Sequence, residues 1–184
     1  MATWYPIKLT ADVRDYAFGA RLIPERLGKA GLPAGVVAET WEFSDWPGTV
    51  GIVTNGAFAG KTLHELVEAY PDALVGEGWR GPHFPLLGKF LDASHMLPVH
   101  LHADDETARR VHGQPNGKSE AWHVLWAKRG ASILAGDKPD VARVTLRPAL
   151  QMGEFDSVMP RHPIESGDTV FVPGGCCTVL VPIR

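Results

Sequence analysis

The chain has 184 residues and a mass of 20.0 kDa; 45% of its residues are hydrophobic, 21% are charged, and its formal net charge is -3. A chain of this size and composition can bury a sizeable core, so we expect residues 1–184 to form a single domain. The slightly acidic balance, without a dense stripe of Lys and Arg, argues against duplex nucleic acid as a partner. No apolar run approaches the ~20 residues of a membrane-spanning helix, so no membrane is expected either.

The two ends of the chain indicate its compartment. Residues 1–6 lack a basic segment followed by an apolar one, so we expect no secretory signal. Cys176 and Cys177 are adjacent, and neighbouring cysteines rarely bridge each other, so a disulfide framework is not expected. Both observations favour a reducing cytoplasm.

Glycine and proline are spread throughout the chain, which is typical of many short strands joined by tight turns. Apolar alternation and short apolar runs predict strands at residues 36–43, 49–54, 84–91, 97–102, 121–128, 131–134, 168–172 and 178–181. Shorter helical patterns cover residues 104–112 and 146–155. The pattern as a whole predicts a mainly β protein with helical insertions.

One helix has a clear start signal. Thr62 followed three residues later by Glu65 forms a capping box, and an apolar stripe follows it. Pro71 is expected to end this helix.

The strongest chemical signal is His100-Leu101-His102. On a strand, residues two apart point to the same face, so both imidazoles can bind one metal ion. Glu120 opens a predicted strand that can lie beside the first, and its carboxylate would complete a set of two histidines and one carboxylate. The plain alternative is a solvent-facing edge with two ordinary histidines and an exposed glutamate.

Two neighbours of Glu120 join this prediction. Lys118 would share the face of Glu120 if the strand extends back, and a lysine beside a metal can bind a sugar oxygen or a phosphate. Trp122 also shares that face and could stack on a sugar, although core packing is the simpler role. His123 alternates to the other face and should point outward. The remaining histidines, including His64 on a helix and His83 in a loop, are expected to have structural or surface roles.

Two stretches, residues 56–62 and 113–119, superficially resemble phosphate-binding loops. Each places three residues between its glycines, whereas that loop needs four. Nucleotide binding is therefore not expected.

Residues 167–178 carry a further pattern. Gly-Asp, a short strand and Pro-Gly-Gly resemble the second metal motif of cupin barrels, which ends in a histidine ligand. Thr178 occupies that final position, and a neutral hydroxyl is a poor zinc ligand. A plain strand-turn-strand is the alternative.

Five segments together resemble the type I mannose-6-phosphate isomerases, a zinc-dependent cupin family. The five segments are residues 38–45, 60–63, 84–93, 97–105 and 117–122. In the same order, they correspond to the family's motifs Gly-Glu-Ser-Trp-Glu-Ile-Ser, Gly-Lys-Thr-Leu, Phe-Pro-Leu-Leu-x-Lys-x-Leu-Asp-Ala, Leu-Ser-Val-Gln-Val-His-Pro-Asp-Asp and Gly-Lys-Thr-Glu-x-Trp. The resemblance covers nearly the whole chain. It implies a cupin-like (jelly-roll) β-barrel with short helical insertions, whose last strands are missing or incomplete.

The resemblance also implies a ligand set. The family's ligands Gln, His, Glu and a final His fall on His100, His102, Glu120 and Thr178. The implied cofactor is one Zn²⁺ per chain, with Fe²⁺ or Mn²⁺ as alternatives. Pro98 stands where the family has a serine that helps to hold the substrate phosphate.

The implied reaction interconverts mannose 6-phosphate and fructose 6-phosphate by moving a proton between C1 and C2 through an enediol. Lys118 would be catalytic, and Lys118 and Trp122 would contact a small sugar phosphate. Truncation at the C-terminus is expected to impair this activity. The alternatives are an Fe(II)-dependent cupin oxygenase, which uses the same donor set, and a non-catalytic sugar-binding cupin.

A hypothesis about the coding sequence accounts for Thr178. With suitable codons for Cys176, Cys177 and Thr178, a reading frame that starts at the last base of the Gly175 codon would encode one apolar residue, then Leu and then His. This frame would restore the histidine of the motif. The last nine residues or so would then reflect a frameshift. Intact genomic DNA with no cupin sequence downstream in the other frame would refute this hypothesis.

Overall fold

The computed structural model describes residues 4–181, apart from the side chain of Arg143. The chain divides into two compact units, Met1–Ser94 and His95–Arg184. The expectations about a signal segment and about the chain end fall partly on residues 1–3 and 182–184, which lie outside the described residues. Among the described residues, no helix combines the length and apolar character that crossing a membrane requires.

The first unit contains a three-stranded antiparallel sheet in the order β1–β2–β3. Its elements are, in chain order, β1 (Asp12–Arg14), α1 (Leu22–Leu27), β2 (Glu39–Phe43), a 3-10 turn (Gly56–Phe58), α2 (Leu63–Ala69), α3 (Pro71–Leu74) and β3 (Gly88–Leu91). The register of β2 against β3 shifts between Trp41 and Phe43. This irregularity bends the chain immediately before Asp45.

Helix α2 begins as the sequence predicts. The Thr62 hydroxyl accepts a hydrogen bond from the Glu65 N–H at 3.1 Å, and Glu65 accepts one from the Thr62 N–H at 2.7 Å. The apolar stripe packs into the core, with Leu63, Leu66 and Val67 buried. Pro71 ends this helix but also opens α3, because proline is well tolerated in the first turn of a helix.

Three predicted strands of the first unit are wrong in extent, and the one predicted at residues 36–43 begins only at Glu39. Residues 49–54 form only isolated bridges, Leu9 with Val53 and Ile52 with Thr62, because their backbone bonds divide between residues 8–10 and 61–63. The strand predicted at 84–91 contains only Gly88–Leu91. Leu86 is 63% exposed, so the apolar run that suggested burial does not continue through residues 84–87.

The second unit contains two antiparallel sheets, in the orders β4–β9–β6–β7 and β5–β8. Its elements are β4 (His100–Leu101), α4 (Asp105–Thr107), a π-helical turn (Ala108–His112), β5 (Glu120–His123), β6 (Ser132–Ala135), α5 (Arg143–Met152), α6 (Phe155–Val158), β7 (Arg161–Pro163), β8 (Thr169–Val172) and β9 (Cys177–Val181). The central strands β6 and β9 supply the buried core residues Ile133, Leu134 and Val179.

The second unit matches the predicted order of elements, with shifted ends. The strand predicted at 121–128 ends at His123, because its partner β8 is only four residues long. The helix predicted at 146–155 ends at Met152, where Gly153 adopts a left-handed conformation (φ 77°) that caps helices. The sequence missed β7, an exposed edge strand whose Arg-His-Pro sequence has neither alternation nor β-forming residues.

Candidate metal centre

His100 and His102 lie side by side at the end of a short strand. His100 begins β4, which pairs with β9, and His102 follows the strand. Their ring centroids are 4.9 Å apart, with an interplanar angle of 62°. The His102 carbonyl accepts a hydrogen bond from the Gly175 N–H at 2.8 Å, which ties this segment to the turn before β9.

The ring of His100 is oriented by the backbone. Its Nδ1 lies 2.9 Å from the carbonyl oxygen of Pro98. A carbonyl can only accept, so Nδ1 carries the proton and the Nε2 lone pair is left for a ligand. This contact is typical of metal-binding histidines, whose second nitrogen donates to a carbonyl or carboxylate.

Glu120 reaches the histidines from the other sheet of this unit. It begins β5, where Glu120 and Trp122 are partly buried while Ala121 and His123 are exposed, so the alternation predicted from the sequence is confirmed. The Glu120 Oε2 lies 3.6 Å from the His102 Nε2. One ligand atom each from His100, His102 and Glu120 lie within 4.8 Å of one another.

Lys118 places its ammonium among these ligand atoms. The Lys118 Nζ lies 3.0 Å from the Glu120 Oε1 and 3.1 Å from the His102 Nε2. An ammonium can only donate, so His102 accepts through a neutral Nε2. Lys118 thus offers its positive charge to the same lone pairs that a metal ion would use.

Closely packed loops hold these residues together. The Lys118 N–H donates to the Ala103 carbonyl at 3.0 Å, and the Gly174 N–H donates to the Ser119 hydroxyl at 3.1 Å. A Cβ at Gly117 would lie 2.3 Å from the Ala103 carbonyl oxygen, so only glycine fits there.

The segment after His102 is anchored by a helix cap. Asp104 accepts a hydrogen bond from the Thr107 N–H at 2.7 Å and so caps α4. This backbone hydrogen bond lowers the pKa of Asp104, assisted by the Thr107 hydroxyl and, more weakly, by Arg110 and Arg109. Asp104 therefore stays ionised as a cap.

Thr178 does not join the cluster. It lies in β9, is completely buried, and donates its hydroxyl to the Leu134 carbonyl at 3.2 Å. The two neighbouring cysteines are free, and burial raises the pKa of the Cys177 thiol. A protonated thiol is a weak metal ligand, so residues 177–178 offer a metal little.

The structure therefore brings together four of the five predicted site residues, His100, His102, Lys118 and Glu120, and puts Trp122 on the same face of β5 as Glu120. Two imidazoles and a carboxylate are the donors of a zinc site that leaves coordination positions open. Within residues 4–181 one further cluster, Asp45, His64 and His83, was not anticipated from the sequence. Its members come from three separate segments, so no spacing could reveal it.

Comparison with known proteins identifies the family. The family model of the type I phosphomannose isomerase catalytic domain matches residues 7–123, about two thirds of the chain. The chain belongs to the type I phosphomannose isomerase family. The resemblance seen in the sequence is thereby confirmed.

Curated and solved members extend the match. A mannose-6-phosphate isomerase from Streptococcus mutans is 31% identical over 170 residues, covering 92% of this chain and 52% of that protein. The crystal structure of the mannose 6-phosphate isomerase from Bacillus subtilis has a TM-score of 0.86 and 30% identity, covering 96% of this chain and 55% of that one. This chain therefore spans about half the length of the relatives it matches.

The structural match also confirms the predicted fold class. The chain shares the mainly β, cupin-type fold of phosphomannose isomerases, with short helical insertions. A zinc-bound mannose 6-phosphate isomerase has the same fold, with a TM-score of 0.70 and 15% identity over 96% of this chain and 66% of that one.

Proposed function

We propose that the chain is a metal-dependent aldose–ketose isomerase that interconverts mannose 6-phosphate and fructose 6-phosphate, with one zinc ion per chain held by His100, His102 and Glu120. The observation that carries the proposal is the convergence of these three ligand atoms within 4.8 Å, in a chain of this isomerase family. Single-domain organisation over residues 1–184 and a cytoplasmic location, favoured by two free cysteines, are parts of the same proposal.

The donor set fits zinc. Zinc prefers imidazole and carboxylate ligands, and three protein ligands leave a position for substrate. Bound there, zinc would polarise the carbonyl and hydroxyl oxygens of the sugar as a Lewis acid. Fe²⁺ and Mn²⁺ also accept such donors, but the zinc-bound isomerase of the same fold makes zinc the first metal to test.

Lys118 is the proposed catalytic residue of this chain. Isomerisation moves a proton between C1 and C2, and negative charge builds up on the attached oxygen. The Lys118 ammonium, 3.0 Å from Glu120, can donate a hydrogen bond to that oxygen and stabilise the charge. Half of its side chain is exposed, so a substrate can reach it.

Trp122 is the proposed platform for the sugar ring. It lies two residues from Glu120 on the same face of β5 and is partly buried. An indole face can pack against the apolar C–H face of a sugar.

Pro98 raises a question about the phosphate group. Proline has neither a hydroxyl nor an N–H, and the Pro98 carbonyl already accepts from His100. Residue 98 therefore cannot supply the contact that a serine supplies in the family. Comparing mannose 6-phosphate with free mannose as substrates tests whether another group holds the phosphate.

The decisive experiment measures isomerisation of mannose 6-phosphate by the zinc-loaded 184-residue chain, with bound zinc measured in parallel. We expect His102→Ala and Glu120→Gln to lose activity together with the zinc ion bound at this site, so that each variant holds one zinc fewer than the parent chain. His162→Ala removes an exposed histidine of β7 outside the cluster and serves as the matched control. Folded variants that keep full zinc and activity would refute the proposed site.

Two other outcomes would replace the proposed function. Dioxygen uptake by the Fe²⁺-loaded chain, without isomerisation, would indicate an oxygenase with the same donors. Stoichiometric zinc and saturable binding of the sugar phosphate, without turnover by either metal form, would indicate a non-catalytic sugar-binding protein.

A further inference from the structure

Three side chains from separate segments of the first unit meet outside the proposed active site. Asp45 lies two residues after β2, His64 lies in the first turn of α2, and His83 precedes Phe84. One ligand atom from each of the three lie within 4.8 Å of one another. The rings of His64 and His83 have centroids 5.3 Å apart.

Asp45 has an unsatisfied buried oxygen. Its side chain is completely buried, and its Oδ2 accepts a hydrogen bond from the Phe84 N–H at 2.7 Å and is hydrogen-bonded to the His64 Nδ1 at 3.2 Å. Its Oδ1 has no hydrogen-bond partner within residues 4–181, although the His64 Nδ1 lies 3.1 Å away in unsuitable geometry. Burying a carboxylate oxygen without a donor or a cation is strongly unfavourable.

His83 also has a buried polar atom without a hydrogen-bond partner among the described residues. Its Nδ1 is buried without a hydrogen-bond partner in the described part of the chain and lies 3.8 Å from the Asp45 Oδ2. A simple ion pair between His64 and Asp45 is the obvious alternative, and a hydrogen bond to Asp45 does raise the pKa of His64. That pair, however, leaves both the Asp45 Oδ1 and the His83 Nδ1 without a partner.

We propose that Asp45, His64 and His83 form a second divalent-metal site, suited to zinc and separate from the site at His100, His102 and Glu120. A single cation would satisfy both orphaned atoms. Zinc ligands at about 2.0–2.1 Å from a tetrahedral ion lie about 3.3 Å from one another. The His64 Nδ1 lies 3.1 and 3.2 Å from the two Asp45 oxygens, the His83 Nδ1 lies 3.8 Å from Asp45 Oδ2, and one ligand atom from each residue lies within 4.8 Å of the others, so small side-chain movements would give this spacing.

The surroundings of His64 support a ligand role. Its second nitrogen, Nε2, lies 3.6 Å from the Glu68 Oε1, one helical turn away. A carboxylate that is hydrogen-bonded to the non-ligating nitrogen commonly fixes the ring of a metal-binding histidine, and the exposed Glu68 side chain can take that place after a small shift.

The position of the site in the unit indicates a structural role. The site joins the end of β2, the start of α2 and the segment of residues 75–87, which has no helix or strand between α3 and β3. Because a preformed site exists only in the folded chain, zinc bound there should stabilise this unit.

The test uses the full chain with the first site removed by His102→Ala and Glu120→Gln. We expect this variant to retain one zinc per chain after dialysis and to melt at a higher temperature with zinc than without it. Adding Asp45→Asn should abolish both the retained zinc and the rise in melting temperature, because an amide still accepts a hydrogen bond from the Phe84 N–H but is a poor zinc ligand. Adding His83→Ala, a partly exposed position, should weaken zinc binding at least about tenfold.

His162→Ala in the same background is the control and should leave zinc binding unchanged. Cobalt(II) gives a second readout, because its visible bands report imidazole and carboxylate coordination and should vanish with Asp45→Asn. The proposal is overturned if the background variant binds no zinc, or if Asp45→Asn and His83→Ala leave its zinc unchanged. Since the first site is absent throughout, neither result bears on the proposed isomerase.

Discussion

Thr178 lies directly opposite His100 in the antiparallel pairing of β9 with β4. Side chains of directly opposed residues point to the same side of a sheet. The Thr178 hydroxyl donates a hydrogen bond to the Leu134 carbonyl at 3.2 Å, while the Nε2 of His100 remains available for a metal ion. Position 178 is therefore placed to supply a ligand beside His100, and threonine does not supply one.

We expect Thr178→His to raise zinc affinity about tenfold or more, since even the outer-shell partners of a metal ligand change affinity by about 10–100-fold. The larger ring enters a fully buried position, so the metal-free variant should be less stable by about 1–3 kcal/mol. Zinc should recover that loss. Competition with a chromophoric chelator measures the affinity, and urea unfolding with and without zinc measures the stability.

Thr178→Val is the matched control for this prediction. It removes the hydroxyl with almost no change in shape, so it should cost about 1 kcal/mol of stability through the lost bond to Leu134. Zinc affinity should stay the same. A marked fall in zinc affinity would mean that the threonine is itself a ligand, contrary to the geometry.

A second prediction concerns the competition between Lys118 and the metal. The Lys118 ammonium bonds to His102 and Glu120, and those bonds must break before a cation can use the same lone pairs. Charged hydrogen bonds contribute about 1.5–3 kcal/mol, so Lys118→Met should raise zinc affinity about tenfold or more. Isomerase turnover should fall about 100-fold, as for the loss of one donor to a developing oxyanion.

Lys128→Met, at an exposed position outside the site, is the control for general charge effects. It should change neither zinc affinity nor turnover. If Lys118→Met lowers zinc affinity, the lysine assists the metal site rather than competing for it. If turnover survives unchanged, Lys118 has no catalytic role.

A third prediction follows from the ion pair of Asp156 and Arg161. Arg161 donates to both carboxylate oxygens, at 2.9 and 2.8 Å, and these bonds lower the pKa of Asp156. The stabilisation is therefore complete above the ordinary carboxyl pKa and is lost as pH falls through the lowered value. Both groups are exposed, so Asp156→Asn should cost only about 0.5 kcal/mol at pH 7.

Urea midpoints measured from pH 7 downward check this prediction. The difference between the parent chain and Asp156→Asn should stay constant to about pH 4 and shrink below it. High salt should also reduce the difference at pH 7. A difference that grows on acidification would contradict the assignment.

Local spacing grouped most of the residues that meet in the second unit. His100 and His102 are two residues apart, as are Glu120 and Trp122, and the period of a strand places the second pair on one face of β5. The strand β5 does not extend back to Lys118, whose ammonium reaches Glu120 from the preceding loop. The resemblance to the isomerase family then joined the two sets. Residue spacing also located Thr62 and Glu65 at the start of α2, because a capping box is a purely local arrangement.

The short helices α1, α3 and α6 were not predicted, and two further missed features depend on contacts between distant residues. Asp45, His64 and His83 meet only because a bend after β2, a helix and a loop converge, and none of these contacts leaves a periodic pattern. Similarly, β7 pairs with β6 through backbone hydrogen bonds, and its Arg-His-Pro sequence does not predict a strand. Hydrophobic patterning reveals which face is buried, but not which edge a polar segment joins.

The last prediction tests that local start of α2. The Thr62 hydroxyl accepts from the Glu65 N–H, and the Glu65 carboxylate accepts from both the N–H and the hydroxyl of Thr62. These hydrogen bonds also lower the pKa of Glu65. Thr62→Ala should lower the free energy of unfolding by about 1 kcal/mol, because it leaves the Glu65 N–H without its cap.

Thr62→Ser keeps the hydroxyl and should retain most of that stability. Because α2 packs Leu63, Leu66 and Val67 into the core and carries His64, fraying of its first turn should loosen the rest of the helix and not only break one hydrogen bond. Hydrogen exchange of the α2 amides should therefore accelerate in Thr62→Ala and not in Thr62→Ser. Equal exchange in both variants would show that core packing alone fixes the start of this helix.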